Sequence, residues 1–171
     1  MTLSFLSTHF FALFFYSLFF LNFKGDDVEK IVEKKQLLPV IGAALVYHDL
    51  GLWTDHVLSY LEPSWDRAEK KYRGTFSEEQ LVLLHDIIDA HHKITPFEGP
   101  NAVVVNAVRK ADWIDASQGL ISKSMPRHHI HAVLQHIPNA GFHDALLQFG
   151  PKLYGWNVFA IVKGVFGIFR L

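Results

Sequence analysis

An all-α domain of about seven helices is the fold this sequence predicts, and three observations predict it. Apolar residues recur at i, i+3, i+4 and i+7 along much of the chain. No stretch sustains the period-two alternation and tight turns of β-hairpins. The breaks between periodic segments fall at proline, glycine and helix-capping residues. The 171 residues suffice for one sizeable core, and neither an internal repeat nor a Gly-, Ser- or Pro-rich linker divides them. Residues 24–171 therefore read as one helical domain, preceded by an apolar segment over 1–23.

That first segment carries no formal charge from Leu3 to Phe23, and Phe10, Phe11, Phe14, Phe15, Phe19 and Phe20 surround its axis instead of forming a stripe. Two readings fit: a membrane anchor, by length and hydropathy, or an unusually apolar first domain helix with His9 pointing inward. A cleaved secretory signal fits less well, because no Lys or Arg precedes the run and no small-x-small site follows it. The chain is accordingly expected in the cytoplasm, or membrane-anchored if this segment spans a bilayer.

Asp26 and Asp27 can cap a short helix through Val28, Ile31 and Val32. Pro39 opens the next, where Ile41, Ala44, Leu45 and His48 share one face, so the His48 imidazole is expected inside; Gly51 is read as its end. Ser64 is read as the cap of a polar, solvated helix that stops near Gly74. Ser77-Glu78-Glu79-Gln80 is a capping box, and the helix it starts puts Leu81, Leu84, Ile88 and His91 on one stripe and His85, Ile88 and His92 on its neighbour before Pro96. Pro100 starts a helix on which Val104, Val108, Ala111 and Asp115 align, beside Val105, Val108 and Asp112, so that two carboxylates approach the interior. Pro126 opens a helix with Ile130, Val133, Leu134 and Ile137. Two further segments follow, carrying Phe142, Leu146 and Phe149, then Phe159, Val162, Phe166 and Phe169.

Composition narrows the chemistry. Sixteen Lys+Arg against 17 Asp+Glu give a net charge of -1, with no clustered basic surface for a nucleic acid. The partner expected is a small-molecule substrate. Half the residues are hydrophobic, which excludes intrinsic disorder. With no cysteine there is neither a thiolate metal site nor a thiol nucleophile, so any metal must be held by His, Asp or Glu. Eleven histidines supply that option generously.

A His-Asp dipeptide at a helix end offers a neutral imidazole and a carboxylate from adjacent residues, a good metal pair. Here Tyr47-His48-Asp49-Leu50-Gly51 stands between His9 on an early helix and the pair Ala111-Asp112, with a His-rich helix end, Ile88-Asp89-Ala90-His91-His92-Lys93, in between. In this order the residues resemble the HD-domain superfamily of metal-dependent phosphohydrolases, over roughly residues 9 to 116 with the motifs within 48–116. The resemblance implies an all-α HD-type bundle and a divalent cation (Mn, Fe, Co or Zn) held by His9, His48, Asp49 and Asp112. The flanks of His9 are almost wholly apolar, where family members carry polar or basic residues. It further implies that His91 and His92 hold a second metal or contact substrate.

Chemistry follows from such a set. The cation lowers the pKa of water from about 15.7 towards roughly 7, making hydroxide the nucleophile on a small phosphoester or related substrate. Asp49 belongs to the catalytic group as well as the ligands; Lys93 or Arg109 would neutralise phosphoryl charge. Asp115, or one of the paired histidines, would move protons or orient a ligand. Two alternatives share the scaffold: a lyase resembling cyanamide hydratase, and a membrane-anchored relic without catalysis. Arg127-His128-His129-Ile130-His131 scatters its rings at a helix start and is read as a solvated terminus.

Overall fold

The structure, a computed structural model, describes residues 37–122, 124–136 and 157, and among them all regular structure is helical. In chain order the helices are α1 (Leu37–Tyr47), α2 (Leu50–Asp55), α3 (Leu61–Tyr72), α4 (Glu78–Ala90), α5 (Ala102–Ala116) and α6 (Arg127–His136). The segment Leu3–Phe23 with His9, the short helix after Asp27 and the segments carrying Phe142 and Phe159 lie outside the described residues.

Helix α4 is the centre of the packing: α1 and α3 lie against it most extensively, and α5 covers a further side. Its apolar stripe explains why. Leu84, Ile87 and Ile88 are fully buried, and each such side chain contributes about 2 kcal/mol by leaving water. They meet Val40, Ile41, Ala44 and Leu45 of α1 and Val105, Val108, Ala111 and Ile114 of α5 in one cluster. The expected capping box fixes where α4 starts: Gln80 N donates to Ser77 Oγ at 3.3 Å and Ser77 N donates to Gln80 Oε1 at 2.9 Å.

Two expectations are corrected. Gly51 does not end a helix; it lies inside α2, and the break comes earlier, at His48 and Asp49. What Gly51 provides is closeness, since a Cβ there would stand 2.4 Å from the Tyr60 carbonyl oxygen and 3.0 Å from Ser64 N. Ser64 caps nothing. Fully buried in the first turns of α3, its hydroxyl accepts from Gly51 N at 2.8 Å and so joins α2 to α3.

The run Leu37–Asp55 is long and apolar enough to cross a membrane by length and composition, as the core helix of a soluble protein also is, and 44% of that window is buried within the fold. The turn at 48 and 49 divides it into α1 and α2.

Candidate metal centre

The α1–α2 break and the end of α4 meet, and three side chains converge there: His48, Asp49 and His91. Their ligand atoms all lie within 4.8 Å of one another, a grouping that could hold a metal ion. Each histidine is aimed by its own helix. His48 Nδ1 donates to the Leu45 carbonyl at 3.0 Å and His91 Nδ1 to the Ile88 carbonyl at 2.7 Å, both three residues back. A carbonyl only accepts, so Nδ1 of each ring carries a proton and Nε2 is turned inward. His48 Nε2 lies 3.2 Å from Asp49 Oδ2 and His91 Nε2 3.3 Å from Asp49 Oδ1, so the two rings address the two oxygens of one carboxylate.

A second layer surrounds His91 Nε2. The Tyr60 hydroxyl approaches it to 3.3 Å and His92 Nδ1 to 3.1 Å, while Tyr60 and His92 are themselves 3.5 Å apart. His48, His91, His92 and Tyr60 are all buried. Sequence periodicity pointed to the buried histidines; nothing in it pointed to Tyr60, which enters from the loop before α3.

Burial pushes the His48 imidazolium towards losing its proton, but the Asp49 carboxylate, the more distant Asp112 and the Leu45 carbonyl outweigh it and raise the pKa from 6.5 to about 9. Burial works on Asp49 in the opposite sense and is likewise outweighed, by the charge of and hydrogen bonds from His48 and His91, leaving the carboxyl well below its ordinary range. Without a cation the proton on His48 therefore balances Asp49. Asp112, raised by burial and by the charges of Asp49 and Asp115 against the pull of both histidines, comes to about 7. Burial first, then Asp49 and Asp112, push the Tyr60 phenol well above its usual value, so it stays a donor.

The residues named from sequence distribute as follows. His48 and Asp49 sit in the group. His91, expected at a second metal or at substrate, joins them as a potential ligand of the same site, and His92 stands beside it. Asp112 is near enough for its charge to act on His48, Asp49 and His91, and Asp115, buried one turn on, acts on Asp112. Lys93 turns to Asp89, its Nζ donating to Oδ2 at 2.5 Å. Buried Arg109 donates to the carbonyls of Lys93, at 2.9 and 2.6 Å, and Ile94, at 2.8 Å, and to Asn106 Oδ1 at 2.7 Å. It thus secures the chain that leaves α4 just after the histidines. Asn106 fastens the same loop farther on, its amide donating to the Phe97 carbonyl and its oxygen accepting from Phe97 N, each at 2.9 Å. Asn106, Arg109 and Asp112 recur at i, i+3 and i+6, one face of α5 turned to this corner.

No family model, no curated protein and no solved structure matches the chain.

Proposed function

We propose that the chain is a metal-dependent hydrolase of the HD type acting on a small molecule at His48, Asp49 and His91. One observation carries the reading: two buried imidazoles, each tethered through Nδ1 to a carbonyl of its own helix, present Nε2 to the two oxygens of a single carboxylate. Tethering of this kind fixes the tautomer and orientation that a metal ligand needs. A divalent cation of the Mn, Fe, Co or Zn type bound there would supply Lewis acidity and an acidified water.

The chain's own groups take complementary parts. Asp49, and Asp112 once deprotonated, offset the positive charge. Tyr60, holding its proton, donates a hydrogen bond beside His91 and orients what binds there. His92, also in contact with Tyr60, carries protons between this centre and the surface. Asp115 supports Asp112.

One observation favours a second reading. The two cations expected to meet a phosphoryl group, Lys93 and Arg109, are engaged by Asp89 and by backbone carbonyls. Hydration of a nitrogen-bearing carbon, as in the cyanamide hydratase-like alternative, needs no such cation. Elemental analysis of the purified full chain, with thermal melts in added Mn²⁺, Co²⁺ or Zn²⁺, tests the shared premise. Stoichiometric metal and a raised Tm are expected; no metal and an unmoved Tm would leave the non-catalytic alternative.

A further inference from the structure

A cleft of about 390 Å³ opens between the start of α3 and the outer stripe of α4, and His92 is part of its wall. Since His92 Nδ1 touches His91 Nε2, the cleft adjoins the candidate centre. Its other chemistry-bearing walls are Glu62 and Trp65 from α3 and His85 and Asp89 from α4, over an apolar floor that includes Ile88.

We infer that this cleft takes a small organic cation, an amine or amidine protonated at neutral pH, and that such cations are the substrate class of the metal site. The second clause rests on the proposed function; the first does not. No Lys or Arg lines the cleft, whereas sites for phosphate or carboxylate ligands are built around them. Two carboxylates do line it. Asp89 gives Oδ2 to Lys93, while exposed Glu62 makes no ion pair among the described residues. Trp65, its ring perpendicular to that of His85 with 4.8 Å between centroids, brings an indole to the same space, and indoles attract cations. With Asp89 balanced by Lys93, Glu62 is the carboxylate that sets the preference. Nearby Arg67 is already engaged by Asp55 and the Pro63 carbonyl.

Calorimetric titration of the full chain, with and without Mn²⁺, using benzylamine, benzyl alcohol and phenyl phosphate near neutral pH tests this. Benzylamine should bind about tenfold tighter than benzyl alcohol, from one carboxylate contact and one cation–π contact together, and phenyl phosphate weakest. Glu62→Gln should remove most of the preference and Glu62→Lys should turn it towards phenyl phosphate, both with metal content unchanged. Phenyl phosphate binding tightest to the unmodified chain, no preference among the three, or a preference untouched by both Glu62 variants would overturn the inference. An amine preference in a chain that binds no metal keeps the cleft's ligand and removes the hydrolase; metal binding without the preference does the reverse.

Discussion

His48 and His91, carried by different helices, meet edge to face, with 4.8 Å between ring centroids and planes at 82°. Neither ring can turn without breaking its bond to a helix carbonyl, so the space between the two Nε2 atoms and Asp49 is fixed before anything binds. Preorganisation of this sort spares a ligand set the cost of ordering on binding.

His48→Ala and His91→Ala should each lower Mn²⁺ or Zn²⁺ affinity by at least about 100-fold, because even second-layer losses cost 10- to 100-fold. Far-UV circular dichroism should change little, since the apolar cluster around Leu84 and Ile87 remains. His131→Ala, on the exposed start of α6, should leave metal content and melting temperature unchanged. Metal analysis of the three variants decides between this centre and the His-rich tract.

The pH dependence should reverse with metal. In the metal-free chain, His48 at about 9 contributes stability that is complete below 6.5 and is lost as pH rises through about 9. Asp112, raised to about 7, acts in the same direction over a lower window, from 3.8 upward. The metal-free Tm should therefore fall between about pH 6 and 9. Asp49, held low, gives stability present above 3.8 and lost on acidification. Metal competes with the His48 proton, so the rise in Tm caused by added Mn²⁺ should grow over the same interval. Melts at several pH values, with chelator and with metal, read both slopes.

Arg109→Gln should destabilise the fold by about 2–3 kcal/mol, the range for hydrogen bonds to a charged group and for carbonyls left unpaired. Metal affinity should fall with it, since Lys93 and Ile94 follow the two histidines directly. Ser77→Ala is the matched control: loss of the α4 cap should cost about 1 kcal/mol at the opposite end of the same helix and spare the metal. Urea denaturation and metal titration together separate the two.

Gly51→Ala should cost at least about 1–3 kcal/mol, as overpacking does, because the clash is with the Tyr60 backbone and not with a flexible side chain. Gly119→Ala should be comparable: its φ of +78° disfavours any Cβ, and one would stand 2.6 Å from Ile130 Cγ2. Only the first should also weaken metal binding.

What could be read from the sequence was local. The Ser77 box and the buried placement of His48, His91 and Asp115 follow from spacing along single helices. The misread positions are those whose partner lies on another element. Ser64 has the chemistry of a cap and serves as an acceptor for Gly51; Gly51 has the chemistry of a helix end and serves a close crossing. Arg109 was expected at a phosphoryl group and instead holds two carbonyls, which no sequence pattern distinguishes. Tyr60 belongs to no periodic stripe, so only the folded chain brings its hydroxyl to His91.

The 2.4 Å between a would-be Gly51 Cβ and the Tyr60 oxygen bears on how the centre is assembled. Backbones that near leave no room for a side chain, so the segment after His48 and Asp49 and the loop bearing Tyr60 meet backbone to backbone as one block. The α4 end reaches that block through side chains, chiefly His91 and His92. At that seam the grip of Arg109 on the Lys93 and Ile94 carbonyls holds the chain that leaves α4.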